Sequence, residues 1–223
     1  YMVAGRYKLW GPNLFLGGDV SPGGTGKRKV LGIVGYGRIG AAVARRAIGF
    51  DMDILAYDPH NPAAIAADAA DPSRHVRASS LEDLLRESDF VSLHPLLTAE
   101  TRHMISERQL GMMKKTAYLI NVSRGPVVDE AALVRALRDG TIAGAALDVF
   151  ENEPLMVTGL AECRNAILVP HIASGSQDTR DRMATMAATN AVAHLKGERA
   201  PNVVNPEVYD SAAYVARRSA ASA

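Results

Sequence analysis

The chain has one cysteine, Cys163, so it holds no internal disulfide. That fits a reducing, cytoplasmic setting. Cys163 has no base near it in sequence and reads as a loop thiol without a role. The histidines His60, His75, His94, His103 and His194 lack the close paired spacing with Cys, Asp or Glu that zinc needs, so no metal is expected. Charge of one sign is lacking too. Lys and Arg number 25 against 24 Asp and Glu, a formal net charge of +1, and no global field draws the chain to nucleic acid or an anionic membrane. No apolar run reaches the ~18 residues of a membrane span. No signal peptide is visible, and because the chain begins at Tyr1 rather than Met, its true N-terminus is expected upstream. The last residues are not a Ser-Lys-Leu address and read as a frayed tail. There is no internal repeat.

What remains is an ordinary globular composition, 48% hydrophobic and 22% charged over 223 residues. That suffices for one large domain, or one domain and a fragment of another. Residues 1–27 carry Trp10, Pro12 and Pro22 with little periodicity and read as a connector. Val30 to Val34 reads as a buried strand. The turn Gly35-Tyr36-Gly37-Arg38-Ile39-Gly40 follows, then a helix to Phe50 with Ile39, Val43, Ala47 and Phe50 on one face. Ile54 to Tyr57 is a second strand, stopped by Asp58-Pro59.

The alternation continues. Leu81 to Glu87 reads as a helix capped by Ser80 with Asp83, Phe90 to Leu93 as a strand, and Ala117 to Val122 as another. Glu130 to Arg138 reads as a helix between Asp129 and Gly140. Ala145 to Val149 and Ile167 to Val169 are the last strands, and a helix runs from Gln177 to about Lys196. Met112, Met113, Met183 and Met186 read as packing residues, and His194 as a surface residue of the last helix. Strands alternating with helices imply an α/β fold with a doubly wound, mainly parallel sheet. A domain over 28–175 is expected, then a terminal helix and tail over 176–223.

Glycine-x-glycine-x-x-glycine alone is a weak pattern, but here it lies between a strand and a helix. Gly35 suits the tight turn, Gly37 the approach of a pyrophosphate and Gly40 close helix packing. The helix N-terminus suits phosphates. Asp58, at the end of the second strand, suits the ribose hydroxyls and repels a 2′-phosphate, favouring NAD. His94, Arg124, Glu153 and His171 all fall just past strand ends, the edge where open α/β sheets bind ligands. Arg124 offers a fork for a carboxylate. His171 is a natural acid–base group, and a carboxylate at Glu153 favours its imidazolium. The three suit a 2-keto acid whose ketone takes a hydride and then a proton.

Four segments then resemble one family, the NAD-dependent D-2-hydroxyacid dehydrogenases. They are Val34-Gly35-Tyr36-Gly37-Arg38-Ile39-Gly40, Asn121-Val122-Ser123-Arg124-Gly125, Leu147-Asp148-Val149-Phe150-Glu151-Asn152-Glu153-Pro154 and Pro170-His171-Ile172-Ala173-Ser174. The resemblance implies a Rossmann NAD-binding domain. It implies Arg124, Glu153 and His171 as the catalytic set. It also implies that Arg38, Ile39, Asp58, His94, Pro95, Val122, Ser123, Arg124, Asp148, His171 and Ser174 line the cofactor or active site. Ser92-Leu93-His94-Pro95, Leu110-Gly111-Met112-Met113-Lys114-Lys115 and Met183-Ala184-Thr185 are similar to the plant-type hydroxypyruvate reductases, implying reduction of hydroxypyruvate or glyoxylate. Asp178 departs from that branch, which carries a bulky aromatic there. The family's N-terminal stretch, which forms most of the substrate domain, has no counterpart here. The chain is therefore expected to be a fragment, a truncated product or half of a split enzyme, weak or inactive alone. The implied partners are a small 2-keto or 2-hydroxy acid and either a second copy, as a homodimer, or a chain supplying the substrate domain. A non-catalytic NAD-binding module, and another member of the family such as a phosphoglycerate dehydrogenase, are the alternatives.

Overall fold

The computed structural model describes residues 19–22 and 26–221, so the connector expected over 1–27 lies mostly outside the described residues. The chain divides into two units, Tyr1–His171 and Ile172–Ala223.

The first unit is built on seven parallel strands: β1 (Val30–Val34), β2 (Asp53–Tyr57), β3 (Val76–Ala78), β4 (Phe90–Leu93), β5 (Tyr118–Asn121), β6 (Gly144–Leu147) and β7 (Ala166–Leu168). Their order is β3-β2-β1-β4-β5-β6-β7. The direction of winding reverses between β1 and β4, where Val34 stands opposite Tyr57 on one side and Leu93 on the other. In such sheets the crevice at the reversal is the ligand site.

Five helices join the strands: α1 (Arg38–Ala47), α2 (Pro62–Ala69), α3 (Leu81–Glu87), α4 (Glu107–Met112) and α5 (Glu130–Arg138). Two apolar clusters form the core. One joins Leu31, Ile33, Ile54 and Ala56 to Ala44, Ala47 and Ile65, so α1 and α2 share it. The other joins Val34, Leu55, Val91 and Leu119 to Leu84, Leu85, Leu110, Leu133 and Leu137, so α3, α4 and α5 share the second. Each fully buried leucine or isoleucine contributes roughly 1.5–3 kcal/mol, and the strands read as apolar runs because both faces are covered.

The helix ends follow local chemistry. Ser80 Oγ accepts from Asp83 N–H at 3.1 Å and Asp129 Oδ1 from Ala132 N–H at 2.9 Å. Gly140 closes α5 with φ +67°. The packed face of α1 differs from the sequence reading. Gly40, Ala44 and Ala47 are buried, whereas Ile39 and Phe50 are 64% and 58% exposed. A Cβ at Gly40 would lie 2.1 Å from the Gly35 carbonyl oxygen. The helix thus approaches β1 by its smallest residues, which turns Ile39 outward.

The second unit holds α6 (Gln177–Leu195) and α7 (Ala212–Ala221). Ser176 Oγ caps α6 through Thr179 N–H. Met183 and Met186, expected as packing residues, are 50% and 42% exposed; the chain after Gly197 returns to α6 at Ala193, whose carbonyl accepts from Glu198 N–H, and at Asn190, whose Oδ1 accepts from Asn202 N–H. Of the tail expected to fray after Arg218, residues 219–221 end the helix α7, whose start is held by Ser211 Oγ accepting from Tyr214 N–H, and the last two residues lie outside the described residues. Among the described residues no helix is long and apolar enough to cross a membrane.

Candidate active site

Loops leaving the carboxyl edge of the sheet carry nearly all the polar residues singled out in the sequence. After β1, Gly35 has φ +90°, and a Cβ there would fall 2.6 Å from the His94 carbonyl carbon. Glycine alone lets this turn lie against the His94-Pro95 backbone. Gly37 is the N-cap of α1. It brings no side-chain bond to the helix end, and a Cβ on it would meet open space. Gly37, Arg38 and Ile39 are exposed, and the first turn holds no acidic residue.

Asp58, ending β2, is fixed against this turn. Its Oδ2 accepts from Tyr36 N–H at 2.8 Å and its Oδ1 from His60 N–H at 2.9 Å. The Asn61 amide donates to the Tyr36 carbonyl at 2.8 Å. Each Asp58 oxygen keeps a lone pair for a further donor. The buried Tyr36 ring reaches Asp68, donating its hydroxyl at 2.7 Å. His94 ends β4, its Nε2 2.9 Å from Ser92 Oγ. Burial lowers the His94 pKa to about 4, so its ring is neutral at neutral pH.

After β5, one amide shapes the turn. Asn121 Oδ1 accepts from Ser123 N–H at 3.0 Å and Ser123 Oγ at 2.8 Å, and Asn121 Nδ2 donates to the Arg124 carbonyl at 3.0 Å. Ser123 is buried, Val122 half-buried and Arg124 exposed. Asp148, buried just past β6, donates its backbone N–H to the Asn121 carbonyl at 3.0 Å, so adjacent loops share this anchor.

Glu153 lies in the loop after β6 and His171 just after β7. His171 Nδ1 is 2.9 Å from Glu153 Oε2, while Glu153 Oε1 accepts from Phe150 N–H at 3.0 Å. The bond to His171 is the main cause that lowers the Glu153 pKa; the Phe150 N–H and the charge of Arg124 add to it. An ionised carboxylate only accepts, so His171 Nδ1 carries the proton between them and Nε2 is left for another partner. A cavity of about 360 Å³ lies beside the pair, lined by Phe150, Pro154, Met156, Leu168, Val169 and Pro170.

Residues 15–173 match the family described as D-isomer specific 2-hydroxyacid dehydrogenase, NAD binding domain. The chain belongs to that family. It is 52% identical over 210 residues to a glyoxylate reductase of Korarchaeum cryptofilum, an alignment covering 93% of this chain and 60% of the relative. It is 45% identical over 221 residues to a glycerate dehydrogenase of Cucumis sativus, covering 92% of this chain and 56% of the relative. Among solved structures, the TT0316 protein of Thermus thermophilus superposes with a TM-score of 0.77 at 41% identity, over 92% of this chain and 60% of that one. The chain thus spans less than two thirds of these relatives.

The dehydrogenase domain has the features an NAD site requires. An uncapped helix N-terminus with exposed glycine suits a pyrophosphate, and a fixed carboxylate one strand away suits ribose hydroxyls. Among the described residues no group of three or more His, Cys, Asp or Glu is arranged to hold a metal ion. Of the sequence candidates, Ser174 alone belongs to the second unit. The Asn121 anchor, the Tyr36–Asp68 bond and a His103–Glu151 pair at 3.0 Å were not read from the sequence. Asn121 had a signal, an amide two residues before a serine at a strand end; the other two pairs are too far apart in the chain to leave one.

Proposed function

We propose that the whole protein reduces a small 2-keto acid, hydroxypyruvate or glyoxylate, to the D-hydroxy acid or glycolate with NADH. The observation that carries this is the Glu153–His171 bond at 2.9 Å, at the carboxyl edge of the sheet where Arg124 follows β5. The Gly35–Gly40 turn and Arg38 receive the pyrophosphate, and Asp58 the adenosine ribose. Ile39, His94, Pro95, Val122, Ser123 and Asp148 line the remaining contacts, and the family likeness supports Ser174 as a further cofactor residue. NADH supplies the hydride. Arg124 binds the substrate carboxylate and polarises the ketone. His171, as imidazolium, gives the Nε2 proton to the nascent alkoxide and is left in the Nδ1–H form, which Glu153 holds by its bond to Nδ1 after balancing the imidazolium charge. The names of the two relatives support the substrate class.

The family likeness also supports a homodimer in a reducing cytoplasm. An apolar groove of about 290 Å³ lined by Leu31, Val43, Phe50, Met52 and Phe90 offers surface for a second copy. Sedimentation giving only monomer would remove the dimer.

The reaction is tested by supplying the whole protein with NADH and either hydroxypyruvate or glyoxylate. NADH oxidation yielding D-glycerate or glycolate is expected. NADH binding without reduction of any 2-keto acid would make it an NAD-binding module instead.

A further inference from the structure

Two carboxylates near the catalytic pair take no part in the chemistry proposed above. Glu130 opens α5 and is only 2% exposed. Its Oε1 accepts from Glu151 N–H at 2.8 Å. In return, Glu151 Oε1 accepts from Glu130 N–H at 2.9 Å. The other Glu151 oxygen is 3.0 Å from His103 Nε2, and His103 N–H donates to the Pro126 carbonyl at 2.8 Å. Glu153 lies two residues beyond the backbone N–H that Glu130 binds.

The loop is pressed from beneath as well. A Cβ at Gly125 would fall 1.9 Å from the Phe150 carbonyl carbon and 2.4 Å from Glu151 N. The residue after Arg124 therefore touches the backbone that leads to Glu153. A buried carboxyl beside a second carboxylate is costly unless its lone pairs are filled. Burial comes first, and the charges of Glu151 and Glu153 add to it, in raising the Glu130 pKa. A neutral residue at 130 would avoid that cost; what the carboxyl supplies in its place is the bond to Glu151 N–H.

We propose that Glu130 and Glu151 are positioning residues that clasp the loop after β6, at Glu151, to the start of α5 and so hold Glu153 in bonding distance of His171. Gly125 seats the clasp against the Arg124 turn, so one joint sets the spacing of Arg124, Glu153 and His171. The proposal rests on the reading of Glu153–His171 as the acid–base pair. The clasp needs one acceptor oxygen at 130 and not a charge, so Gln at 130 serves where Ala does not.

The test is the tautomer of His171, read from the long-range proton–nitrogen spectrum of the imidazole rings in this chain at a pH where the ring is neutral. The unaltered chain and Glu130→Gln are expected to show the Nδ1–H form. Glu130→Ala and Glu151→Ala lose it for the Nε2–H form that an unpaired imidazole prefers, with the sheet's amide spectrum unchanged. An Nδ1–H form that survives in either folded alanine variant would overturn the clasp alone. If Glu130→Ala does not fold, Glu151→Ala, altered in a loop, decides the matter. An unaltered chain already in the Nε2–H form would overturn the pair itself, and the clasp with it.

Discussion

Glu153 and His171 come from different loops, 18 residues apart, and meet through a 2.9 Å bond between Oε2 and Nδ1. The sheet alone does not bring them together. One stands in a loop tied to the start of α5, the other directly after the edge strand β7, at a backbone φ of +53°. Both leave the carboxyl edge that also presents the glycine turn, the edge at which open α/β sheets bind their ligands.

NADH is expected to bind more tightly than NADPH by at least about tenfold, or about 1.4 kcal/mol. Asp58, held by Tyr36 and His60 N–H groups, meets a 2′-phosphate with like charge. Calorimetric titration of both cofactors checks this. Asp58→Ala should weaken NADH and narrow the gap; equal affinities in the unaltered chain would contradict it.

Stability should fall on acidification through His94. Its folded pKa is about 4 and its ordinary value 6.5. Between those values the unfolded chain takes up the proton and the folded chain does not. This contribution is whole above pH 6.5 and lost as pH drops toward 4, by about 3 kcal/mol over the span. Urea midpoints across that range should flatten in His94→Gln; an equal slope in the variant would remove His94 as the cause.

Gly125→Ala should destabilise the chain by about 1–3 kcal/mol or more. Its Cβ meets backbone of Phe150 and Glu151, which no side-chain rotation can relieve. Urea denaturation measures the loss, and an unchanged midpoint would contradict the close approach.

Asp129→Ala removes the side-chain cap of α5, whose Oδ1 accepts from Ala132 N–H at 2.9 Å. A loss of ~1 kcal/mol is expected, a drop in Tm of roughly 2–4 °C for a chain of this size. Calorimetric melting checks it, and no drop would show that the cap contributes nothing.

Much of this was legible in the sequence, for physical reasons. Strands covered on both faces must be apolar runs, so β1, β2 and β4 stood out, and Asp129 and Gly140 marked α5 by its ends. Three elements left little trace. The alanine-rich α2 buries only Ile65, so it has no periodic apolar face. The helix α4 has six residues, and its one usable mark was the Ser106–Gln109 capping pair. The edge strand β3 has three residues with only Val76 buried. At the site, Arg124, Glu153 and His171 showed as residues at strand ends, where polar groups would otherwise be scattered. What fixes them did not: Asn121 acts through its side-chain amide, and Glu130, Glu151 and His103 meet across 21 and 48 residues.

The account stands or falls on His171 as the proton source. The direct measurement compares the whole protein with His171→Ala, following reduction of hydroxypyruvate by NADH absorbance and NADH binding by calorimetry. Turnover should fall by at least about 100-fold while NADH affinity stays the same. Turnover near the unaltered rate, with the variant folded and binding NADH, would contradict it.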